Sequence, residues 1–450
     1  MIRLVLLLLG APRLREHWLF LLGFGLFGTA LAIAIIGDAM DGVTVVATKT
    51  FGWILLIDGL AGLALKLFGR HRASRFDLVR GLGLVLLGLL ILDFPWNNEI
   101  ANSLLFGLAF LIDGVARIVT AAVLRFRGWK LVVAGGVVEL GLAALALASW
   151  PVSYHKTVPL CIGVLLLLSG WTVLRLALAL RRLPPGASIL ALPTFGRRCW
   201  YGSAASVPAP APAGGRNPPL ILHVWTPRGS VEEAVRARRP LVDRWIAAVD
   251  SKGRISTGHA ALELAPDVYI SHYPATEIDR SPADLIRVLR ATADNDVPGR
   301  FLSSYREEVE DWVEADAHVV FERFNAARLR AHWAEYSQDN TYNLTRRNCS
   351  VAAALALDAA LEGVLAEGPL WHRLSSLLVN PDLWVAAAVR HRAETMTWTP
   401  GLVLDYARAL QRVVKPPPIA RRVRLRDSVR RILRARAALR ANGSLGPLSA

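Results

Sequence analysis

The chain has 450 residues, of which 53% are hydrophobic, and it carries a formal net charge of +16. This length allows two or three domains. Its three cysteines, Cys161, Cys199 and Cys349, show no paired spacing, which excludes a disulfide framework and a zinc ribbon. The positive charge is concentrated in the C-terminal tail, so the net charge does not by itself indicate a nucleic-acid-binding protein.

Six apolar segments occupy most of the first 180 residues. They lie at about 18–36, 44–65, 78–94, 100–122, 130–150 and 157–179. Several approach the ~20 residues that a helix needs to cross a bilayer. They are too numerous and too long for a cleaved signal peptide, and the short run Leu4–Leu9 has no convincing cleavage site. The sequence therefore predicts an all-α transmembrane domain of six helices over residues 1–182.

An internal repeat indicates that these helices form three hairpins. Leu56-Ile57-Asp58-Gly59 recurs 55 residues later as Leu111-Ile112-Asp113-Gly114, and Leu168-Ser169-Gly170 is a degenerate third copy that lacks the aspartate. Three hairpins with Asp-Gly in the second helix resemble the HdeD-like family of acid-resistance membrane proteins. The resemblance covers about residues 15–182 and implies a membrane protein connected with stress.

Asp58 and Asp113 place ionisable groups well inside apolar segments, where a charge is costly. A functional interpretation is a proton- or ligand-binding role. The structural interpretation, which we favour, is a hydrogen bond within a helical hairpin, with the glycine after each aspartate allowing close helix approach. Arg117, one turn after Asp113, is placed to neutralise that carboxylate.

Basic residues in the short loops predict the orientation in the membrane. One side carries Lys66, Arg70, Arg72, Arg75, Arg80, Arg125, Arg127, Lys130, Arg181 and Arg182, whereas the other carries Asp38, Asp41, Asp93 and Glu99 with only Lys49 and Lys156 as bases. Because Lys and Arg accumulate in cytoplasmic loops, we expect a multi-pass protein of the cell (inner) membrane with both termini in the cytoplasm.

A Pro- and Ala-rich linker over residues 183–218 leads to a soluble α+β domain over 219–365. Strands are predicted at 220–225, 257–264, 268–274 and 319–321, and helices at 241–249 and from about 325 to 336. An Ala-rich helix begins at Cys349, directly after Asn348. A helical extension over 366–415 and a basic tail over 416–450 complete the chain.

Cys349 is the candidate nucleophile of the soluble domain. Unpaired N–H groups and the positive end of the helix dipole favour a thiolate at a helix start. Asn348 is expected to support this helix start. Arg346 and Arg347 are expected to act in the same direction. A lone cysteine here is more often an inert small hydrophobe, so the catalytic interpretation depends on a partner base.

His259 is the candidate base, because it stands on a predicted strand whose hairpin partner carries polar residues. Either Ser271 or His272 is placed to orient its imidazole ring. A lone histidine on a strand is usually structural. The order of histidine, polar residue and cysteine on these elements nevertheless favours catalysis.

The same residues resemble the circularly permuted papain-like cysteine hydrolases. Gly258-His259 begins one strand, Tyr269-Ile270-Ser271-His272-Tyr273-Pro274 forms the next, and Asn348-Cys349 opens a helix. The resemblance covers about residues 219–365 and implies that His259 is the base, that Cys349 is the nucleophile and that Ser271 is the polar third residue. A histidine is the better orienter on chemical grounds, so Ser271 and His272 both stay open.

The predicted function is a membrane-anchored cytoplasmic thiol hydrolase, a peptidase, amidase or acyltransferase acting on a peptide, amide or ester. The reducing cytosol suits a free catalytic thiol. The chain has no His-Glu-x-x-His, no close cysteine pair and no glycine-rich phosphate loop, so neither a metal nor another cofactor is expected. The alternative is a non-enzymatic membrane stress-response or scaffold protein whose papain-like module only binds.

The C-terminal tail is a candidate lipid-binding segment. It carries nine arginines (Arg421, Arg422, Arg424, Arg426, Arg430, Arg431, Arg434, Arg436 and Arg440) against Asp427, interleaved with apolar residues. A basic amphipathic helix beside a bilayer favours anionic lipid as a partner over nucleic acid. A disordered, solvated tail is the alternative.

Overall fold

The structure is a computed structural model that describes most of the chain. The described residues are 1–41, 46–67, 75–92, 94, 99–126, 128–148, 154–192, 195, 218–226, 229–230, 233–234, 248–249, 255–256, 258–276, 278, 285–378 and 380–415. Cys199 and the basic tail lie outside them, so the predicted lipid-binding helix of the tail stays a prediction.

Eight helices make up the described N-terminal part of the chain. They are α1 (Ile2–Leu9), α2 (Ala11–Glu16), α3 (Trp18–Asp41), α4 (Val46–Leu67), α5 (Arg75–Ile91), α6 (Glu99–Leu124), α7 (Trp129–Ala148) and α8 (Tyr154–Arg182). Helices α3 to α8 coincide with the six predicted apolar segments, which confirms those segments as helical.

Four helices in the described part of the chain are long and apolar enough to cross a membrane. They contain the stretches Trp18–Gly37, Ser103–Leu124, Trp129–Ala148 and Pro159–Arg182. Large apolar side chains such as Phe27, Ile112 and Leu131 are exposed on them. Extensive exposed apolar surface is typical of a surface that contacts lipid. The structure thus indicates a membrane protein, while spans formed by α4 and α5 stay a prediction.

The long helices pair differently from the three consecutive hairpins that the repeat predicts. Helix α4 packs on α5, α6 packs on α7, and α3 packs on α8. The repeated glycines explain this pairing. A Cβ atom added at Gly59 would lie 2.7 Å from a backbone nitrogen of α5, one at Gly114 would lie 2.9 Å from a carbonyl oxygen of α7, and one at Gly170 would lie 2.9 Å from a backbone nitrogen of α3. Each copy of the repeat therefore provides the close approach within one pair.

Arg117 pairs with Asp113, as the sequence indicated, and also with a second carboxylate. Its Nε lies 2.7 Å from Asp113 Oδ2 and 3.1 Å from Oε2 of Glu139 on α7. The sequence analysis did not single out Glu139. Asp58 has an exposed side chain on α4. The ion pairs across α6 and α7 support a packing role for Asp113.

The described strands of the soluble part are β1 (Leu220–Trp225), β2 (Gly229–Ser230), β3 (Glu233–Ala234), β4 (Ala248–Val249), β5 (Ile255–Ser256), β6 (His259–Leu264), β7 (Val268–Ile270), β8 (His272–Pro274), β9 (Val297–Phe301), β10 (Ala317–Phe321) and β11 (Thr341–Tyr342). A four-stranded antiparallel sheet in the order β10-β1-β6-β7 forms the base of this part. A second, three-stranded sheet has the order β11-β9-β8. The helix predicted at 241–249 is wrong at its end, because Ala248–Val249 pairs with β5; residues 241–247 lie outside the described residues.

Seven helices accompany these strands in the described part of the chain. They are α9 (Leu285–Val288), α10 (Tyr305–Asp311), α11 (Ala326–Tyr336), α12 (Cys349–Leu361), α13 (Leu370–Leu378), α14 (Pro381–Thr395) and α15 (Pro400–Val414). Every residue of α12 is buried, because it packs on β6, α11 and α15. Helix α15 also lies on β10 and β1. The α+β character predicted for this part is confirmed.

The N-terminal helix α1 lies inside the core of the soluble part. Leu4 to Leu9 are all buried and belong to the same apolar cluster as β1, β6, α12 and α15. Gly363 N donates to Leu7 O at 2.9 Å, and Leu365 N donates to Leu8 O at 2.8 Å. Helix α1 has eight residues, too few to cross a bilayer, and six of them, Leu4 to Leu9, are buried, which is typical of a core helix.

The first residues of the predicted linker are also packed into this core. Ser188 Oγ donates to Glu362 Oε2 at 2.5 Å, and Ile189 N donates to the other oxygen of the same carboxylate at 2.8 Å. Arg328 donates to the carbonyl oxygens of Gly186 and Ala187. The soluble part therefore includes α1 and residues 186–192, and it is not one continuous stretch that begins at 219.

Candidate functional site

Cys349 is the first residue of α12, as the sequence predicted. The Asn348 side chain accepts a hydrogen bond from Val351 N at 2.8 Å and so caps the helix. Its amide nitrogen donates to Leu344 O at 2.7 Å and to Trp398 O at 3.3 Å. Asn348 thus ties the helix start to the preceding loop and to the segment before α15, which fixes the position of the thiol.

His259 lies beside this thiol at the start of β6, the strand on which α12 packs. The imidazole of His259 and the thiol of Cys349 lie close enough that each shifts the pKa of the other. Both side chains are buried, since Cys349 is 8% exposed and His259 is 4% exposed. The structure therefore brings the predicted base and the predicted nucleophile into contact.

The far side of the imidazole ring is held by two oxygens. His259 Nε2 lies 2.9 Å from Ser271 Oγ and 3.1 Å from Glu308 Oε1. Glu308 is on α10 and is 1% exposed. These two contacts hold the ring at its Nε2 atom.

Two tyrosines complete the surroundings of Glu308. The hydroxyl of Tyr269 donates to Oε2, and the hydroxyl of Tyr273 donates to Oε1 at 2.6 Å. Burial, followed by the neighbouring Glu308 charge, raises the pKa of both tyrosines far above the usual range, so both remain hydrogen-bond donors. The two hydroxyls thus hold the Glu308 carboxyl group in place beside His259.

Aromatic rings fix the plane of the imidazole. The Tyr273 ring stacks on His259 with centroids 4.1 Å apart and an interplanar angle of 10°. Trp225, opposite His259 in the β1–β6 register, approaches with a centroid distance of 5.4 Å. The Trp225 indole is held in turn by a hydrogen bond to Val313 O at 2.6 Å. The ring of His259 therefore has little freedom to turn away from the thiol.

The two central groups shift each other's protonation toward an ion pair. Burial acts to raise the pKa of the Cys349 thiol, but the charge of His259 and hydrogen bonds from His259, Ser350 and Ala260 outweigh it and lower the pKa below its ordinary value. Burial acts to lower the pKa of His259, but the facing Cys349 and the Glu308 carboxylate outweigh it and raise the pKa. Both shifts favour the charged forms, a thiolate at Cys349 and an imidazolium at His259.

Ser271, and not His272, is the hydrogen-bond partner of His259 among the two candidates from the sequence. The nitrogens of His272 lie 3.2 Å from Tyr336 Oη and 3.3 Å from Asn340 O. Burial lowers the pKa of His272 to about 4, so its ring is neutral at physiological pH. These neighbouring residues face different surroundings because successive residues of an extended chain point in opposite directions.

Arg346 and Arg347 support the loop before α12 and are not among the groups that lower the pKa of Cys349. Arg346 forms a salt bridge with Asp296. Arg347 is fully buried, donates to Thr341 O at 2.8 Å and to Tyr336 O at 2.9 Å, and lies over the Tyr336 ring. Both guanidinium groups thus contribute to the structure of this loop, and their expected effect on the thiol stays a prediction.

Glu308 is the site residue that the sequence analysis missed. It stands in an acidic stretch whose other carboxylates are half-buried, as Glu307 is, or exposed, as Glu310 is, so its residue type gave no signal. Its spacing from two aromatic residues did carry a signal. Tyr305, Glu308 and Trp312 follow the helical spacing of three and four residues, and both aromatic residues stack against side chains of β1. A carboxylate between two such aromatic residues faces the sheet.

The described residues contain no group of three or more His, Cys, Asp or Glu side chains that could hold a metal ion. No known protein family, no curated protein and no solved structure matches this chain. The resemblances to HdeD-like proteins and to permuted papain-like hydrolases therefore stay predictions, and the function is argued from the geometry of the site.

Proposed function

We propose that the protein is a membrane-bound thiol hydrolase or acyltransferase in which Cys349 is the nucleophile and His259 is the base. The observation that carries the proposal is the buried chain of contacts from the thiol through the imidazole to the Ser271 hydroxyl and the Glu308 carboxylate. An inert cysteine needs no such partners. Burying several polar groups costs free energy unless hydrogen bonds compensate, and a buried polar cluster around a thiol is therefore evidence for a functional site. The membrane-embedded helices hold this site at the bilayer surface.

The proposed reaction is acyl transfer from an amide or ester. The Cys349 thiolate attacks the carbonyl carbon, and the bond from that carbon to the leaving nitrogen or oxygen breaks as the His259 imidazolium donates its proton to the leaving group. Water or an amine then attacks the thioester carbon while His259 accepts its proton. The bond from that carbon to sulfur breaks, which releases the acyl product and restores the Cys349 thiolate beside the His259 imidazolium. Glu308 and Ser271 hold the ring and stabilise its charged form throughout.

The start of α12 also supplies a donor for the developing oxyanion. Val351 N is occupied by the Asn348 side chain, and Ala352 N donates to Asn348 O. The Cys349 N–H stands at the first helical position, which has no acceptor within the helix. We assign this N–H to the carbonyl oxygen of the substrate, where the positive end of the helix dipole favours negative charge.

Thiol labelling tests this proposal without knowledge of the substrate. In the native full chain, Cys349 is expected to react with iodoacetamide at about pH 6 roughly tenfold or more faster than an ordinary thiol, whose pKa is about 8.5. His259→Ala should slow the reaction, because the imidazolium partner is lost. Measurements on chains with Cys161 and Cys199 replaced by alanine report Cys349 alone.

The matched control for this experiment is His272→Ala, a change in the neighbouring histidine that faces Tyr336 instead of the thiol. We expect it to leave the labelling rate within about twofold of the parent. If Cys349 reacts like a thiol in denatured protein and His259→Ala has no effect, the catalytic proposal fails and a binding module without turnover is the better description.

We also propose that the soluble part faces the cytoplasm, on the evidence of the basic loops. A reporter fused after Gly215 is expected to show a cytoplasmic location, and one fused near Asn97 the opposite side. The two fusions act as controls for each other, since a correctly inserted chain gives opposite signals. A signal from outside the cytoplasm at position 215 would reverse the proposed orientation and place the thiol in an oxidising compartment.

A further inference from the structure

A groove of about 460 Å³ lies at the C-terminal end of α8, between this helix and the segment of chain that follows it. Arg175 and Arg182 line it together with Leu178, while Leu183 and Leu192 come from the chain after the helix. No acidic group of the described residues forms a salt bridge with either arginine. Two guanidinium groups in one groove therefore lack an anionic partner within the part of the protein that the structure describes.

The groove continues into an apolar stripe on α8. Leu168, Trp171, Arg175, Leu178 and Arg182 follow the spacing of three and four residues that places side chains on one face of a helix. Leu168, Trp171 and Leu178 are 58%, 57% and 43% exposed. The face is thus basic toward the end of the helix and apolar toward its middle.

The basic end of this stripe lies where the membrane surface is expected. Helix α3 begins at Trp18 and α8 ends at Arg182, and the Arg181 guanidinium lies 4.9 Å from the centre of the Trp18 ring. Tryptophan and arginine at the ends of apolar helices are typical of the lipid headgroup region. Arg175, two turns before the end of α8, is close enough to extend its side chain toward that region.

We propose that this groove binds one anionic phospholipid, with its phosphate between Arg175 and Arg182 and its acyl chains along Leu178 and Trp171. Charge complementarity accounts for the headgroup, because guanidinium groups bind phosphate oxygens through paired hydrogen bonds. The apolar stripe favours a lipid over free phosphate, because phosphate has no acyl chain to pack against it. The proposal rests on the membrane location in the proposed function and is independent of the thiol chemistry.

Native mass spectrometry of the full chain in a neutral detergent, titrated with phosphatidylglycerol, tests the proposal. Wild-type protein is expected to retain one tightly held lipid. Arg175→Gln with Arg182→Gln should weaken that binding by about thirty-fold, since each basic residue at a membrane surface contributes about 1 kcal/mol, or about fivefold in affinity. Arg175→Lys with Arg182→Lys keeps the charge and should retain most of the affinity, which guards against a loss caused by misfolding.

The matched control is Arg125→Gln with Arg181→Gln, which removes the same charge from helix ends outside the groove lining. Its binding should stay within about threefold of wild type, and the basic tail is present in all variants. Equal weakening in both pairs would overturn the site in favour of diffuse attraction. Displacement of the lipid by inorganic phosphate at similar concentration, or equal retention of phosphatidylcholine, would also overturn it. Failure here leaves the labelling of Cys349 and the topology fusions unaffected.

Discussion

Leu8→Ala is expected to lower the free energy of unfolding of the soluble part by about 2–5 kcal/mol, even though residue 8 lies far from that part in sequence. Leu8 is fully buried in the core shared with α12 and α15, so the change leaves a cavity there. Removal of residues 1–16 should have a larger effect, because Gly363 N and Leu365 N would also lose their acceptors on α1.

The measurement is denaturant unfolding of the full chain in a neutral detergent, followed by tryptophan fluorescence. Arg3→Ala is the matched control on the same helix. Its side chain is 45% exposed and pairs with Glu394 at 3.0 Å. An ion pair with one member in solvent contributes little, so we expect a change within about 1 kcal/mol. If Leu8→Ala unfolds at the same denaturant concentration as wild type, α1 does not pack in the core in the way the structure shows.

Glu308→Gln is expected to move the pH dependence of Cys349 labelling upward by roughly one unit, which is the size expected for losing one charged hydrogen bond. The sign follows from the ion pair. Glu308 raises the pKa of His259, so its removal makes the imidazolium less stable. A less stable imidazolium gives less support to the thiolate, and the pKa of Cys349 rises toward its ordinary value. Labelling at low pH therefore slows, while labelling above the ordinary thiol pKa stays unchanged.

Two variants give this experiment its controls. Glu307→Gln alters the adjacent carboxylate on the same helix, which bonds to Ser303, and it should leave the pH profile in place. Ser271→Ala removes a neutral hydrogen bond to His259 and should shift the profile by less than Glu308→Gln. A profile that Glu308→Gln leaves unchanged would show that the carboxylate does not act through His259.

The role of Glu308 in stabilising charged His259 also predicts how turnover depends on pH on the alkaline side. Because the pKa of His259 is raised, the proton donor for the leaving group persists to higher pH than an ordinary histidine would allow. Once a substrate is found, its turnover should fall on the alkaline side as His259 loses its proton. The Glu308→Gln variant should reach that decline at lower pH, opposite in direction to its effect on the labelling of Cys349.

Local patterns in the sequence were enough to predict the apolar helices, the start of α12 and the strands that carry His259 and Ser271. Six uninterrupted apolar segments could only be helices in a lipid or core environment, and the structure has them as α3 to α8. Asn348 before an Ala-rich run specified the start of α12, because a side-chain cap and helix propensity act within one turn. The His259 strand and the hairpin that carries Ser271 were also readable, since alternation and turn residues are properties of neighbouring positions.

Only the tertiary structure decided which of these elements meet. The repeat could not show that α4 pairs with α5, because each glycine permits close approach without specifying the neighbour. Leu4–Leu9 is equally apolar in a membrane or in a protein core, and its place beside α12 depends on contacts with residues more than 350 positions away. Glu308 resembles its exposed neighbours in sequence, and it became part of the candidate site because the fold buries that one carboxylate against His259. The sequence thus determined the secondary-structure elements and the position of Cys349 at a helix start. Long-range packing decided the helix pairs, the extent of the soluble core and the place of Glu308 in the candidate site.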